Sequence, residues 1–174
     1  HGYYEERSRI PYVRTDNRAI ARLGAEHLLG LGLKRFAFCN HPPTRSNGWA
    51  KERAEEFCKY INEAGYDCQV YTGRHNPVRN WRRSQTSLQQ WLRKLVRPVG
   101  MMACDDSRAR HVLQACLAGG VRVPEDIALV GVDNDDIMCE LTRPPLTSVE
   151  QGAVGVGREA AAILDRMMGG KLPQ

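Results

Sequence analysis

Val121-Arg122-Val123-Pro124-Glu125-Asp126-Ile127-Ala128-Leu129-Val130-Gly131-Val132-Asp133-Asn134 holds an unbroken apolar run, Ile127–Val132, that turns polar at Asp133. A strand with one wet face alternates, whereas a continuous run marks a strand covered on both faces, as in parallel sheets. Three more short runs read the same way: Phe36–Cys39, Cys68–Tyr71 and Val99–Cys104. They begin roughly 30 residues apart, the length of a βα unit. Helical spacing fills the gaps. Ala50, Arg53, Ala54, Phe57, Ile61 and Ala64 end at Gly65, and Leu88, Trp91, Leu92 and Leu95 end before Pro98. Ala109, Val112, Leu113 and Cys116 end at Gly119-Gly120. Ahead of the first strand, Ile20, Leu23, Gly24, His27 and Leu28 form an amphipathic helix capped by Asp16 or Asn17. Beyond Pro144-Pro145, Leu146–Val149 reads as a short strand and Val156–Met168 as a last helix. The pattern predicts an α/β fold, a doubly wound parallel sheet with helices on both faces.

Composition narrows the function classes. The 174 residues suit one domain, and 42% hydrophobic against 26% charged residues is a globular balance. No apolar run approaches the ~18 residues of a membrane span, and His1–Pro11 does not read as a signal peptide, so a cytoplasmic location without membrane contact is expected. The +5 charge suggests nucleic acid, but no acidic residue lies between Asp67 and Asp105. Arg74, Arg79, Arg82, Arg83, Arg93, Lys94 and Arg97 carry the excess on what reads as a solvated helix face. Six cysteines, none in a C-x-x-C pair or at zinc spacing, read as reduced thiols acting as small hydrophobes.

Ligands of such sheets bind beyond the carboxyl ends of the strands. Asn40-His41 and the loop Thr44–Trp49 follow the first strand, Gly73–Asn80 and Trp81 the second, Asp105-Asp106 the third, and Asp133–Asp136 the fourth. Carboxylates and amides take hydroxyl pairs, arginine donates in a fork and indole covers a sugar ring face, so the set suits a polyhydroxylated ligand. Arg53, at an apolar-phase position of its helix, is either a buried ligand donor or half of a structural ion pair. Asp105 and Asp133 are either ligand contacts or helix caps, with Asp106 the better placed cap. Trp81 stacks on ligand or fills core; Trp91 reads as core. Paired aspartates could instead hold Mg²⁺ for phosphoryl transfer. No phosphate loop, dinucleotide fingerprint or nucleophile elbow is present, and the histidines are scattered, so no enzyme or cofactor is expected.

Several stretches carry a family resemblance. Asp16-Asn17 with Ala25-Glu26-His27-Leu28-Leu29 and Gly32 is similar to the D-N…A-x-H-L-x-x-x-G stretch of LacI/GalR-type regulators. Val121–Asn134 resembles their G-x-x-V-P-x-D-I-x-V-x-G-x-D-[DN], and Pro144–Gln151 their P-P-L-T-[TS]-V-x-Q. Ser107–Gln114 and Asn80-Trp81 resemble a branch whose sensor is fused to an arabinose-regulator-type helix-turn-helix domain. The resemblance implies a periplasmic-binding-protein-like sensor lobe that takes a sugar effector, D-xylose or a related pentose. It implies that Arg53 forks onto sugar hydroxyls, Asp133 accepts from them, Trp81 stacks, and Gln151 and Asp16 lie at hinge crossings. Asp105 stands where the family often has Asn, and Glu56 where it has glycine. It assigns 34–146 to the C-terminal lobe, 1–33 to hinge and elements of the other lobe, and 147–174 to a hinge crossing and terminal helix. It also implies a homodimer that meets DNA through a domain lying outside this chain. A periplasmic transport protein and a Mg²⁺-dependent phosphoryl-transfer enzyme are the alternative readings.

Overall fold

A computed structural model describes residues 11–44, 46–73 and 80–170. Arg45 of the first polar loop, and Arg74, His75 and Arg79 of the second, lie outside the described residues. The order is α1 (Asn17–Gly30), β1 (Phe36–Cys39), α2 (Gly48–Glu63), β2 (Cys68–Tyr71), α3 (Trp81–Leu92), β3 (Val99–Ala103), α4 (Asp106–Gly119), β4 (Ile127–Val132), α5 (Asp136–Leu141), β5 (Thr147–Val149) and α6 (Ala153–Met168). The five strands form one parallel sheet in the order β2-β1-β3-β4-β5.

The pleat sorts each strand between two cores. Phe36, Phe38, Met102, Cys104, Val130 and Val132 meet α1 and α2 on one face. Ala37, Cys39, Met101, Ala103, Ile127 and Leu129 meet α3 and α4 on the other. That double coverage is why β1, β3 and β4 read as continuous runs. At the sheet edge, β2 leaves Gln69 and Val70 exposed.

Helix α1 buries Asn17, Ile20, Ala21, Gly24, Ala25 and Leu28, and leaves Leu23 and His27 exposed. The stripe is rotated from the one expected because its small residues let the helix approach β3. A Cβ on Gly24 would lie 2.6 Å from Met102 Sδ. The helix expected with the other lobe therefore shares a core with β1, α2 and β3. By contrast, α6 buries none of its residues. Arg82 and Arg83 on α3, and Arg93 and Lys94 just past its end, are exposed as expected, opposite Leu88 and Leu92, whereas Arg97 is half-buried and lies 3.9 Å from Asp126. Trp91 is only half-buried, against Tyr71 on the edge strand (ring centroids 5.0 Å apart). Of the six thiols, Cys39, Cys104 and Cys116 are buried and the other three partly so.

The cap of α4 reverses the expectation. Asp105, not Asp106, is the N-cap, accepting from the Arg108 N–H at 2.6 Å. Asp106 turns inward instead, accepting from Ser148 Oγ (2.6 Å), Asp135 N (2.9 Å) and Cys139 Sγ (3.6 Å). This one carboxylate ties α4 to β5 and to the start of α5. It lies against Gly131, where an added Cβ would collide with Asp106 Oδ1. Removing it leaves three part-buried donors without their acceptor. Asp106→Ala should therefore cost about 2–4 kcal/mol in urea unfolding, and Gly131→Ala about 1–3 kcal/mol. A loss below about 0.5 kcal/mol, the range of ordinary surface changes, would contradict the assignment of Asp106 as a structural tie.

Candidate functional site

Strand order reverses between β1 and β3, the place where an open α/β sheet leaves a crevice at its carboxyl edge. His41 follows β1 and Asp105 follows β3, and His41 Nε2 lies 2.8 Å from Asp105 Oδ2 across that opening. Buried Asn40 holds the β1 loop, donating to the Ala50 carbonyl (3.1 Å) and accepting from the His41 N–H (2.8 Å). Burial alone would raise the Asp105 carboxyl. The hydrogen bond and charge of His41, the cap bond from Arg108 and the nearby Arg53 guanidinium outweigh it, and hold Asp105 below its ordinary value.

Arg53 projects from the buried face of α2 and is fully shielded from solvent. Its Nε and Nη2 donate to Asn17 Oδ1 at 3.3 and 3.0 Å, and Nη1 donates to the carbonyl of Cys104. The Trp49 ring lies 5.0 Å from the guanidinium carbon. Asn17 is fixed in turn by donating to Glu52 at 2.8 Å. Three of the five guanidinium N–H groups thus anchor the fork, and two remain to donate.

Beyond β4, Asp133 accepts from Gln151 Nε2 at 2.8 Å, in a backbone conformation with φ 120. Gln151 Oε1 is buried and has no hydrogen-bond partner. Burial, with the charges of Asp105 and Asp106, raises the Asp133 carboxyl to about 6 despite the attraction of Arg53. The cap of α5 is Asp135, so Asp133 is not spent on capping.

Arg53, Asp105, Asp133 and Gln151 therefore stand at one edge. Trp81, the first residue of α3, is 41% exposed and packs edge-on against His111 (centroids 4.9 Å apart). His111 in turn lies 6.5 Å from the His41 ring, which connects Trp81 to the same edge. Asp16 is different. It caps α1 by accepting from the N–H groups of Arg18 and Ala19, and the residue that reaches the site is its neighbour Asn17. Asn17 was legible, since it shares the buried stripe of Ile20, Gly24 and Leu28 as a polar side chain. His41 and His111 gave no such signal. The Mg²⁺ alternative needs the paired aspartates Asp105 and Asp106 after β3 together with Asp133 after β4. Among the described residues, the three metal-type side chains within 4.8 Å of one another are instead His41, Cys104 and Asp105.

The profile of one family, described as "Periplasmic binding protein-like domain", matches residues 25–174. This chain belongs to that family. It is 36% identical over 162 residues to the xylose operon regulatory protein of Haemophilus influenzae, covering 93% of this chain and 42% of that protein. The Escherichia coli K12 protein of the same name is 37% identical over 159 residues, covering 91% and 41%. A solved structure of a xylose-binding transcription activator superposes with a TM-score of 0.84 at 36% identity, covering 95% of this chain and 44% of that one. A LacI family regulator from Enterococcus faecium, with bound ribose, gives a TM-score of 0.71 at 25% identity over 90% and 56%. The chain spans less than half the length of the xylose operon regulatory proteins it matches.

The Asp133 environment has a measurable consequence. A carboxyl raised in the folded state binds its proton more tightly there than in the unfolded chain. Its contribution to stability therefore falls as pH rises from about 3.8 through about 6. Asp133→Asn should be more stable than the parent at pH 7, by about 1–3 kcal/mol at about 1.4 kcal/mol per pKa unit, and this gain should vanish by about pH 4. Urea titrations at several pH values check it. A variant less stable than the parent at pH 7 would mean that the carboxylate is held for structure.

Proposed function

We propose that this chain is the effector-binding part of a DNA-binding transcriptional regulator, and that its effector is D-xylose or a related pentose. The observation that carries this reading is the Asp133–Gln151 pair beside the fork of Arg53. A destabilised carboxylate and an unpartnered buried amide oxygen are acceptors waiting for donors. Arg53 has N–H groups left to give. Sugar hydroxyls donate and accept at once, so one ring can satisfy all three. In this reading Asp105, held by His41, takes a further hydroxyl, and the exposed indole of Trp81 covers an apolar ring face. Asp16 serves the site only by starting α1, which delivers Asn17 to Arg53. The names of the relatives, regulators of a xylose operon, support the pentose and a non-enzymatic role.

Residues 34–146 form the C-terminal lobe in this proposal, with α1 seated on it. Residues 147–174 cross the hinge and place α6 against the other lobe. Ligand bound between the lobes favours the closed arrangement by its differential affinity, and closure changes how the whole protein holds DNA through a separate helix-turn-helix domain. The protein acts in the cytoplasm as a homodimer. Exposed Leu117, Ile137 and Leu141 on α4 and α5 offer an apolar face for that pairing.

Calorimetric titration of the whole regulator with D-xylose, D-ribose and L-arabinose tests the reading. At least one pentose should bind. Asp133→Ala should weaken it by about thirtyfold or more, the worth of a hydrogen bond to a charged group, without lowering the melting temperature. No heat with any pentose or hexose would contradict the sugar assignment.

A further inference from the structure

Arg108, in the first turn of α4, is fully shielded from solvent, and its Nε, Nη1 and Nη2 have no hydrogen-bond partner. Among the described residues, its surroundings carry no counter-charge that is free. The Tyr71 ring lies 5.3 Å from the guanidinium carbon. The nearby thiols of Cys39 and Cys104 are pushed up by burial, and Cys39 Sγ, which faces the guanidinium, offers it only the weak acceptor of a neutral thiol. Asp105 spends its oxygens on the Arg108 backbone N–H and on His41, and Asp106 spends its own on Ser148, Asp135 and Cys139. A guanidinium cannot release its proton to escape, and a buried cation without acceptors is strongly destabilising. Buried groups left this way ask for a partner that arrives from outside.

Two further observations point to what arrives. One turn along α4, His111 is 7% exposed and its Nδ1 is also buried without a partner. Burial and the Arg108 charge lower its pKa to about 4, so it is a neutral imidazole able to donate one N–H. Gly73, two residues past β2, packs directly over Arg108: an added Cβ there would lie 3.4 Å from Arg108 Nη2. Gly73 lines a cleft of about 760 Å³ with Tyr71, Thr72, Arg82, Arg83 and Lys94, and no carboxylate is among its lining residues. Its size is that of a small-molecule pocket, and its charged walls are all cationic.

We infer that Arg108 and His111 form the floor of a second ligand site, reached along the β2–α3 cleft, which takes a small anionic metabolite through its carboxylate or phosphate group. The planar guanidinium presents paired N–H groups that match either oxyanion, and Arg82, Arg83 and Lys94 draw the anion in. The site shares His111 with the Trp81 side of the Asp133 edge, but its anion chemistry rests on Arg108 and stands whether or not that edge takes a sugar.

Calorimetric titration of the protein with inorganic phosphate and with acetate, in low-salt buffer free of chloride, tests it, with D-xylose titrated in parallel. At least one anion should bind. Arg108→Met should weaken that binding by at least tenfold and leave the xylose titration unchanged, while Arg82→Gln with Arg83→Gln should weaken it less and only at low salt. Tighter phosphate binding identifies a phosphorylated ligand, and tighter acetate binding a carboxylate ligand. The ¹⁵Nε resonance of Arg108 in the unmutated protein gives a readout that does not depend on the variant folding, and it should shift on anion addition. Absence of binding by both anions, equal binding by Arg108→Met, or an unmoved Arg108 resonance would each overturn the site. Loss of the xylose response alone would count against the sugar reading and not against this one.

Discussion

The bond set around Arg53 is the constraint on which the candidate site depends. A buried guanidinium left without acceptors costs stability, and the acceptors of Arg53 come from two other elements: Asn17 of α1 and the carbonyl of Cys104 at the end of β3. Satisfying one side chain therefore sets α1, α2 and β3 in a single arrangement. The small residues Ala21, Gly24 and Ala25 permit the close approach that this arrangement needs. Stability and the geometry of the candidate site are thus the same set of contacts. The fork that would meet a sugar is aimed by groups that also hold the first core together.

Against that rigid donor the acceptors are less settled, and the asymmetry is chemically useful. Asp105 is stabilised as a carboxylate by His41, by its cap bond and by Arg53. Asp133 is raised by burial and by its acidic neighbours, with Gln151 as its hydrogen-bond partner. Two aspartates at adjacent strand ends therefore differ in character. One is a fixed acceptor, and the other gains from any new donor. Gln151 follows β5, so a donor that engages Asp133 also engages the segment leading to α6. That linkage is how ligand at one edge could bias the placement of a distant helix.

Much of this was legible in the sequence. Continuous runs at β1, β3 and β4 announced a sheet covered on both faces, and a charged residue at an apolar phase of α2 announced a buried arginine with partners. What was not legible depended on register and side-chain direction. Asp105 and Asp106 differ by one residue, and only the path of the chain leaving β3 decides which caps α4 and which turns inward to Ser148. The stripe of α1 was misplaced by one helical position, because Leu23 competes with Ala21 and Ala25 when only hydrophobicity is weighed. The lobe assignment of α1 followed from resemblance, not packing, and its buried face puts it on this sheet. His41 and His111 became visible only when the sheet brought separate loops together. Arg108 carries the same signal as Arg53, a cation at a buried phase of its helix.

The central claim is that Asp133 is an acceptor for sugar hydroxyls, and its own titration reports on that most directly. In the whole regulator labelled at aspartate carboxyl carbons, Asp133 should titrate near 6 without ligand. Saturating D-xylose should move the midpoint down toward the ordinary carboxylate range, because hydrogen bonds donated to the charged form favour it. A midpoint that stays where it was while xylose binds would contradict the account, since the sugar would then be held without the carboxylate on which the reading rests.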